Sequence, residues 1–111
     1  MFRIHRNHMS HALSEQLYKE VHNVSTWEDS DHLWFKKEDR NISSDQIKQV
    51  LREGKVIEYN LENNMRRVLL KDNDGVCVVV DLDTHHVITT FTDAQSNGKV
   101  NPKKYIFGLG Y

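Results

Sequence analysis

The chain has 111 residues, 38% of them hydrophobic and 28% charged, with fifteen Lys and Arg against sixteen Asp and Glu for a formal net charge of −1. That length suits one domain over residues 1–111 with a thin core, and the balanced charge excludes a chain-wide basic field while leaving room for a local basic patch. No stretch approaches the ~18 apolar residues of a membrane span, the start MFRIHRNHMSH has no apolar signal core, and the single Cys77 excludes a disulfide framework. The expectation is therefore a compact, cytoplasmic protein.

Residues 1–10 read as a basic, irregular lead-in, in which His5, His8 and, just beyond, His11 form an H-x2-H-x2-H array. A metal site is one reading of that array; a poorly ordered terminus is the plainer one. From Ala12 the pattern is helical, with Leu13, Leu17, Val21 and Val24 spaced four, four and three apart. Ser25, Thr26 and the acidic pair Glu28–Asp29 then break it. A second helix is predicted over Asp31–Asp39 with a short apolar face of Leu33, Trp34 and Phe35. The third is the best marked. Ser43 with Gln46 three residues later forms a capping box, Ile42 and Ile47 stand at staple positions, Ile47, Val50 and Leu51 supply the buried face, and Gly54 marks the end.

After Gly54 the period changes to two. Val56–Tyr59 and Met65–Leu70 read as strands, and Asp72–Gly75 as a hairpin turn into the wholly apolar run Val76–Val80. A turn at Asp83–Thr84 leads to Val87–Phe91, Asp93–Lys103 reads as a loop, and Tyr105–Phe107 as a further edge strand. This order predicts an α+β fold, with two to three N-terminal helices packed on one face of a four- to five-stranded, mainly antiparallel sheet.

The most suggestive constellation lies on the second helix. His32, Lys36 and Arg40 are spaced four and four and form one stripe. Metal-free phosphodiester cleavage asks for a group titrating near pH 7 beside cations, and this stripe holds both. A solvated cationic helix face with a chance histidine has the same spacing.

The run from His32 to Ser43, HLWFKKEDRNIS, resembles the H-x3-[RK]-x3-R-x-I-S signature of the uncharacterised DUF 4258 family. Asp45–Gln46–Ile47, Val50–Leu51, the strand Gly54–Tyr59 and Val87–Thr90 continue that family's pattern, so the resemblance covers roughly residues 31–92. The family commonly has alanine and arginine where this chain has Leu33 and Lys36. In plan it is similar to the barnase, EndoU, colicin and RelE group of small ribonuclease toxins. The resemblance implies a cleft between the second helix and the sheet, with His32 as general base or acid and Lys36 and Arg40 on phosphate. It also implies that Arg66 or Arg67, on alternate faces of one strand, points into the cleft, and that a hydroxyl of Thr89 or Thr90 orients the scissile phosphate. A solvated strand face accounts for the arginines otherwise, β-propensity for the threonines, and pairing with Glu38 or Asp39 for Arg40.

Other candidates are weaker. Asp72-x-Asp74-Gly75 lacks the closing glutamate of a calcium loop and reads as a turn. His85 and His86, near Asp81 and Asp83, point to opposite faces of a strand. Cys77 among valines reads as a buried, inert thiol. Trp27, Trp34 and Phe35 are able to stack bases, although core or interface packing is the simpler reading. Two functions follow. The first is a metal-independent ribonuclease toxin without cofactor, acting on tRNA or mRNA and neutralised by an acidic antitoxin or immunity protein, as a monomer or weak dimer. The second is a non-catalytic protein-binding module on the same scaffold.

Overall fold

The computed structural model describes residues 2–93. Within them three α-helices, α1 (His11–Asn23), α2 (Asp31–Asp39) and α3 (Ser44–Glu53), accompany six strands: β1 (Phe2–His5), β2 (Glu28–Asp29), β3 (Lys55–Glu62), β4 (Met65–Lys71), β5 (Val76–Asp81) and β6 (His86–Thr92). The strands form one sheet in the order β1-β3-β4-β5-β6-β2, antiparallel throughout except for the parallel β2–β6 pair. This is the expected α+β plan with one or two strands more than predicted. The predicted edge strand Tyr105–Phe107 lies outside the described residues.

Both extra strands escaped the sequence pattern for physical reasons. The segment read as an irregular lead-in forms β1, which registers Arg3 opposite Asn60 and His5 opposite Glu58, followed by a single 3-10 turn over Arg6–His8. Its four residues alternate Phe2 and Ile4 with Arg3 and His5, a run too short to establish a strand period. What draws β1 in is tertiary: Glu58 is only 1% exposed, and Arg3 forms an ion pair with it. A carboxylate buried that deeply is tolerable only with charged or hydrogen-bonding partners. β2 is two exposed acidic residues, joined to its neighbour by backbone bonds, Glu28 N donating to His85 O at 2.9 Å and Ser30 N to Val87 O at 3.0 Å.

The remaining elements follow their local chemistry. Ser10, Ser30 and Ser43 each accept a hydrogen bond from a backbone N–H of the first turn of α1, α2 and α3, and Ser43 with Gln46 forms the capping box. Gly54 ends α3 for want of space rather than for an unusual dihedral. Its φ is −67°, but a Cβ there would stand 2.5 Å from the Val50 carbonyl oxygen. Asn63 and Asn64, at φ 50° and 63°, make the two-residue turn between β3 and β4. Asp72 shapes the next hairpin, its Oδ1 accepting from the N–H groups of Asp74 and Val76, with Gly75 at φ 85°.

Strand alternation separates two apolar clusters. The larger joins Leu17 and Val21 of α1, Leu33 of α2, and Ile47 and Val50 of α3 to Val56, Val68, Leu70, Val76, Val78, Val80 and Val87. The smaller, Ile57, Leu69, Cys77, Val79 and Phe91, contains no helical residue and lies on the opposite face. The helices thus pack on one face of the sheet, and β5 is buried along its whole length, as its unbroken apolar run requires.

Candidate functional site

α2 is placed by polar ties at both ends. Ser30 Oγ accepts from Leu33 N and donates to Ile88 O at 2.8 Å, so one side chain both caps the helix and fastens it to β6. At the other end Arg40 is the C-cap residue, half-buried, and its Nη1 donates to Thr90 O at 2.7 Å. Between them only Leu33 is buried. The helix therefore runs beside β6 with most of its circumference open.

His32, Lys36 and Arg40 form the expected stripe, and the sheet adds Arg67 to it. His32 is an exposed residue of α2, and partial desolvation, followed by the charges of Lys36, Arg40 and Arg67, lowers its pKa from the ordinary 6.5. The His32 ring makes no hydrogen bond among the described residues, and Lys36 makes no ion pair among them. A neutral imidazole facing three cations is a proton acceptor beside a place for an anion. Burial also lowers Arg40, with Asp39 opposing, but a guanidinium keeps its charge at any physiological pH.

Arg66 and Arg67 part company as adjacent strand residues must. Arg67 registers between Asn60 and Asp81 on the face away from α1, where His32 feels it. Arg66 points to the helical face and is not part of the site. Its guanidinium meets Asp83 at 2.9 Å and Glu20 of α1 at 3.2 Å, and its pKa is raised, chiefly by the hydrogen bond to Asp83. Two carboxylates thus hold Arg66, one of the two arginines expected at phosphate.

The two threonines divide in the same way. Thr90, one of the two threonines expected at the scissile phosphate, has its Oγ1 donating to Cys77 O at 2.8 Å inside the sheet. Thr89 is fully buried on the other face, opposite Val79, and its Oγ1 has no hydrogen-bond partner among the described residues. A buried hydroxyl without a partner costs roughly 1–3 kcal/mol, which a fold avoids unless something else uses the group. Ser30 was not singled out from the sequence, although a serine followed at once by an aspartate in the first turn is a readable cap. Its bond to Ile88 O joins positions 58 residues apart and has no sequence signal.

The other motifs separate. His85 stands edge-on to Trp27, with ring centroids 6.0 Å apart, whereas His86 Nε2 lies 3.3 Å from Glu28. Asp81 Oδ1 accepts from the N–H groups of Asp83 and Thr84, and Cys77 is buried. His5 Nδ1 accepts from Asn7 N, and His11 lies 3.5 Å from Glu15. No group of three or more His, Cys, Asp or Glu side chains able to hold a metal ion comes together among the described residues. Trp34 and Phe35 are not core residues: they are 51% and 66% exposed.

Residues 30–92, more than half of the chain, match the family described as "Domain of unknown function (DUF4258)". The matched segment begins at the cap of α2 and ends with β6, so it contains the whole stripe and the strand it lies against. No curated protein and no solved structure matches the chain. No helix among the described residues is long and apolar enough to cross a membrane.

Proposed function

This chain belongs to the DUF4258 family, whose description assigns no activity, and from its site we propose that it is a small ribonuclease that cleaves RNA by transesterification. The observation that carries the reading is the convergence of Lys36, Arg40 and Arg67, from two elements distant in sequence, on a histidine held below its ordinary pKa.

The chemistry follows from the residues. Lys36, Arg40 and Arg67 attract a phosphodiester. His32, neutral at pH 7, takes the proton of the neighbouring ribose 2′ hydroxyl. The 2′ oxygen bonds to phosphorus, the bond from phosphorus to the 5′ oxygen breaks, and that oxygen takes a proton from solvent. A 2′,3′-cyclic phosphate remains, and His32 returns its proton to water. The cations offset the charge that builds on the non-bridging oxygens. Base and cations are all side chains, so the reading calls for no metal or cofactor. It places the protein in a cytoplasm, where tRNA and mRNA are, with an acidic antitoxin or immunity protein as the fitting inhibitor of a cationic stripe.

Exposure of Trp34 and Phe35 favours a second reading, a non-catalytic module that binds a host protein through α2. The deciding experiment is incubation of total tRNA with the purified protein in excess chelator, beside His32→Ala and Arg40→Ala variants shown to be folded. Fragments ending in cyclic phosphate, made by the wild type and lost in both variants, support the ribonuclease. No cleavage, even with cell extract added to supply an activator, leaves the binding module.

A further inference from the structure

α2 exposes two aromatic rings that the fold does not use. Trp34 and Phe35 belong to neither apolar cluster, and they meet edge to face, with centroids 5.3 Å apart and planes at 87°. In water such rings are an expense for a nine-residue helix that buries one leucine. Their place on the helix is informative. At ~100° per residue Phe35 lies only ~60° around the axis from His32, about 4.5 Å further along at ~1.5 Å per residue, and immediately before Lys36. Trp34 stands behind it and holds its ring edge-on. Phe35 therefore borders the cationic stripe on the side of the helix away from the buried Leu33, and Trp34 lies a further ~100° round the axis.

We infer that Phe35, backed by Trp34, is a stacking platform for the unpaired base next to the phosphate bound at His32 and Lys36, so that the substrate is single-stranded RNA or a loop rather than duplex. The inference rests on the ribonuclease reading for the phosphate and extends it to the base. In an A-form duplex the base faces are covered by their neighbours, and a ring on a helix surface has nothing to stack on. A single strand offers phosphate and base side by side, which is the order of cation and aromatic on α2. The alternative occupant, an apolar protein surface, fits less well, because Lys36, Lys37, Glu38 and Asp39 follow the two rings directly and charged residues are depleted at the centres of protein interfaces.

The test uses the intact protein and a short single strand of uncleavable 2′-O-methyl RNA, free and annealed to its complement, with binding read by anisotropy and by tryptophan emission. The wild type binds the strand more tightly than the duplex, with quenched emission. Phe35→Ala weakens strand binding roughly 5- to 150-fold, the range for loss of one stacked base, while the melting temperature holds because the ring is exposed. Equal affinity for strand and duplex, or unaltered strand affinity in a Trp34→Ala/Phe35→Ala protein, overturns the platform. So does a double variant that loses self-association in sedimentation but keeps its RNA affinity, which makes the patch a protein interface. Cleavage of natural RNA by the wild type and His32→Ala, followed in parallel, judges the ribonuclease separately. Ring-dependent strand binding without any cleavage upholds the platform and removes the nuclease.

Discussion

α2 and α3 are of similar length, nine and ten residues, and both begin on a capping serine, yet they are built for different ends. α3 carries a capping box and lays Ile47 and Val50 into the core, so its hydrophobic face alone is enough to position it. α2 buries only Leu33 and is held at both ends by bonds to β6, from Ser30 to Ile88 O and from Arg40 to Thr90 O. A helix fastened by its ends keeps its sides available. That is why the histidine, two of the three cations and the rings of Trp34 and Phe35 are carried by α2 and its C-cap.

The contrast can be broken most sharply at His32. His32→Ala is expected to lower tRNA cleavage by about 10²–10⁴-fold, the usual range for a general base, with an unchanged thermal melt. Equal cleavage by the variant would remove His32 from the chemistry. Second, Leu33→Ala and Ile47→Ala should each cost about 2–5 kcal/mol in denaturant unfolding, because both side chains are buried in the same cluster. A Leu33 value below about 1 kcal/mol would mean that α2 has no core anchor.

The capping serines sharpen the comparison further. Ser43→Ala should cost about 1 kcal/mol, the typical value of a cap. Ser30→Ala should cost about 1 kcal/mol more, because it also leaves the Ile88 carbonyl without its donor. Equal losses at the two sites would show that the tie to β6 adds nothing.

The smallest effect is that of pH. Partial desolvation, with the nearby cations, places the folded-state pKa of His32 below 6.5, and burial does the same for His5, helped by His8, Arg3 and Arg6. As pH falls below 6.5 the unfolded chain takes up these protons first. Stability is therefore intact above 6.5 and declines as pH drops through the folded values. His32→Gln should flatten that decline in melts taken between pH 7.5 and 5, and a steeper decline in the variant would contradict the sign. For the same reason the acidic limb of the cleavage profile should lie below pH 6.5.

Much of this molecule is legible in one dimension. The helical spacing of Leu17 and Val21, the Ser43–Gln46 box, the Asp72–Gly75 turn and the apolar run of β5 are all local signals, and the elements formed where those signals stand. So did the stripe His32–Lys36–Arg40, because spacing of four is a property of the helix itself. Strand alternation likewise dictates that Arg66 and Arg67 face apart, and Thr89 and Thr90 apart.

Which member of each pair faces α2's stripe was decided only by the sheet. Arg66 is lost to Glu20 and Asp83, and Thr90 to the Cys77 carbonyl, through contacts 13 to 46 residues away in the chain. β1 is recruited by the buried Glu58, and β2 by the backbone of β6. Periodicity records how a segment divides its own side chains between two sides. It holds no record of what lies opposite, and the partners opposite choose the residues left for function.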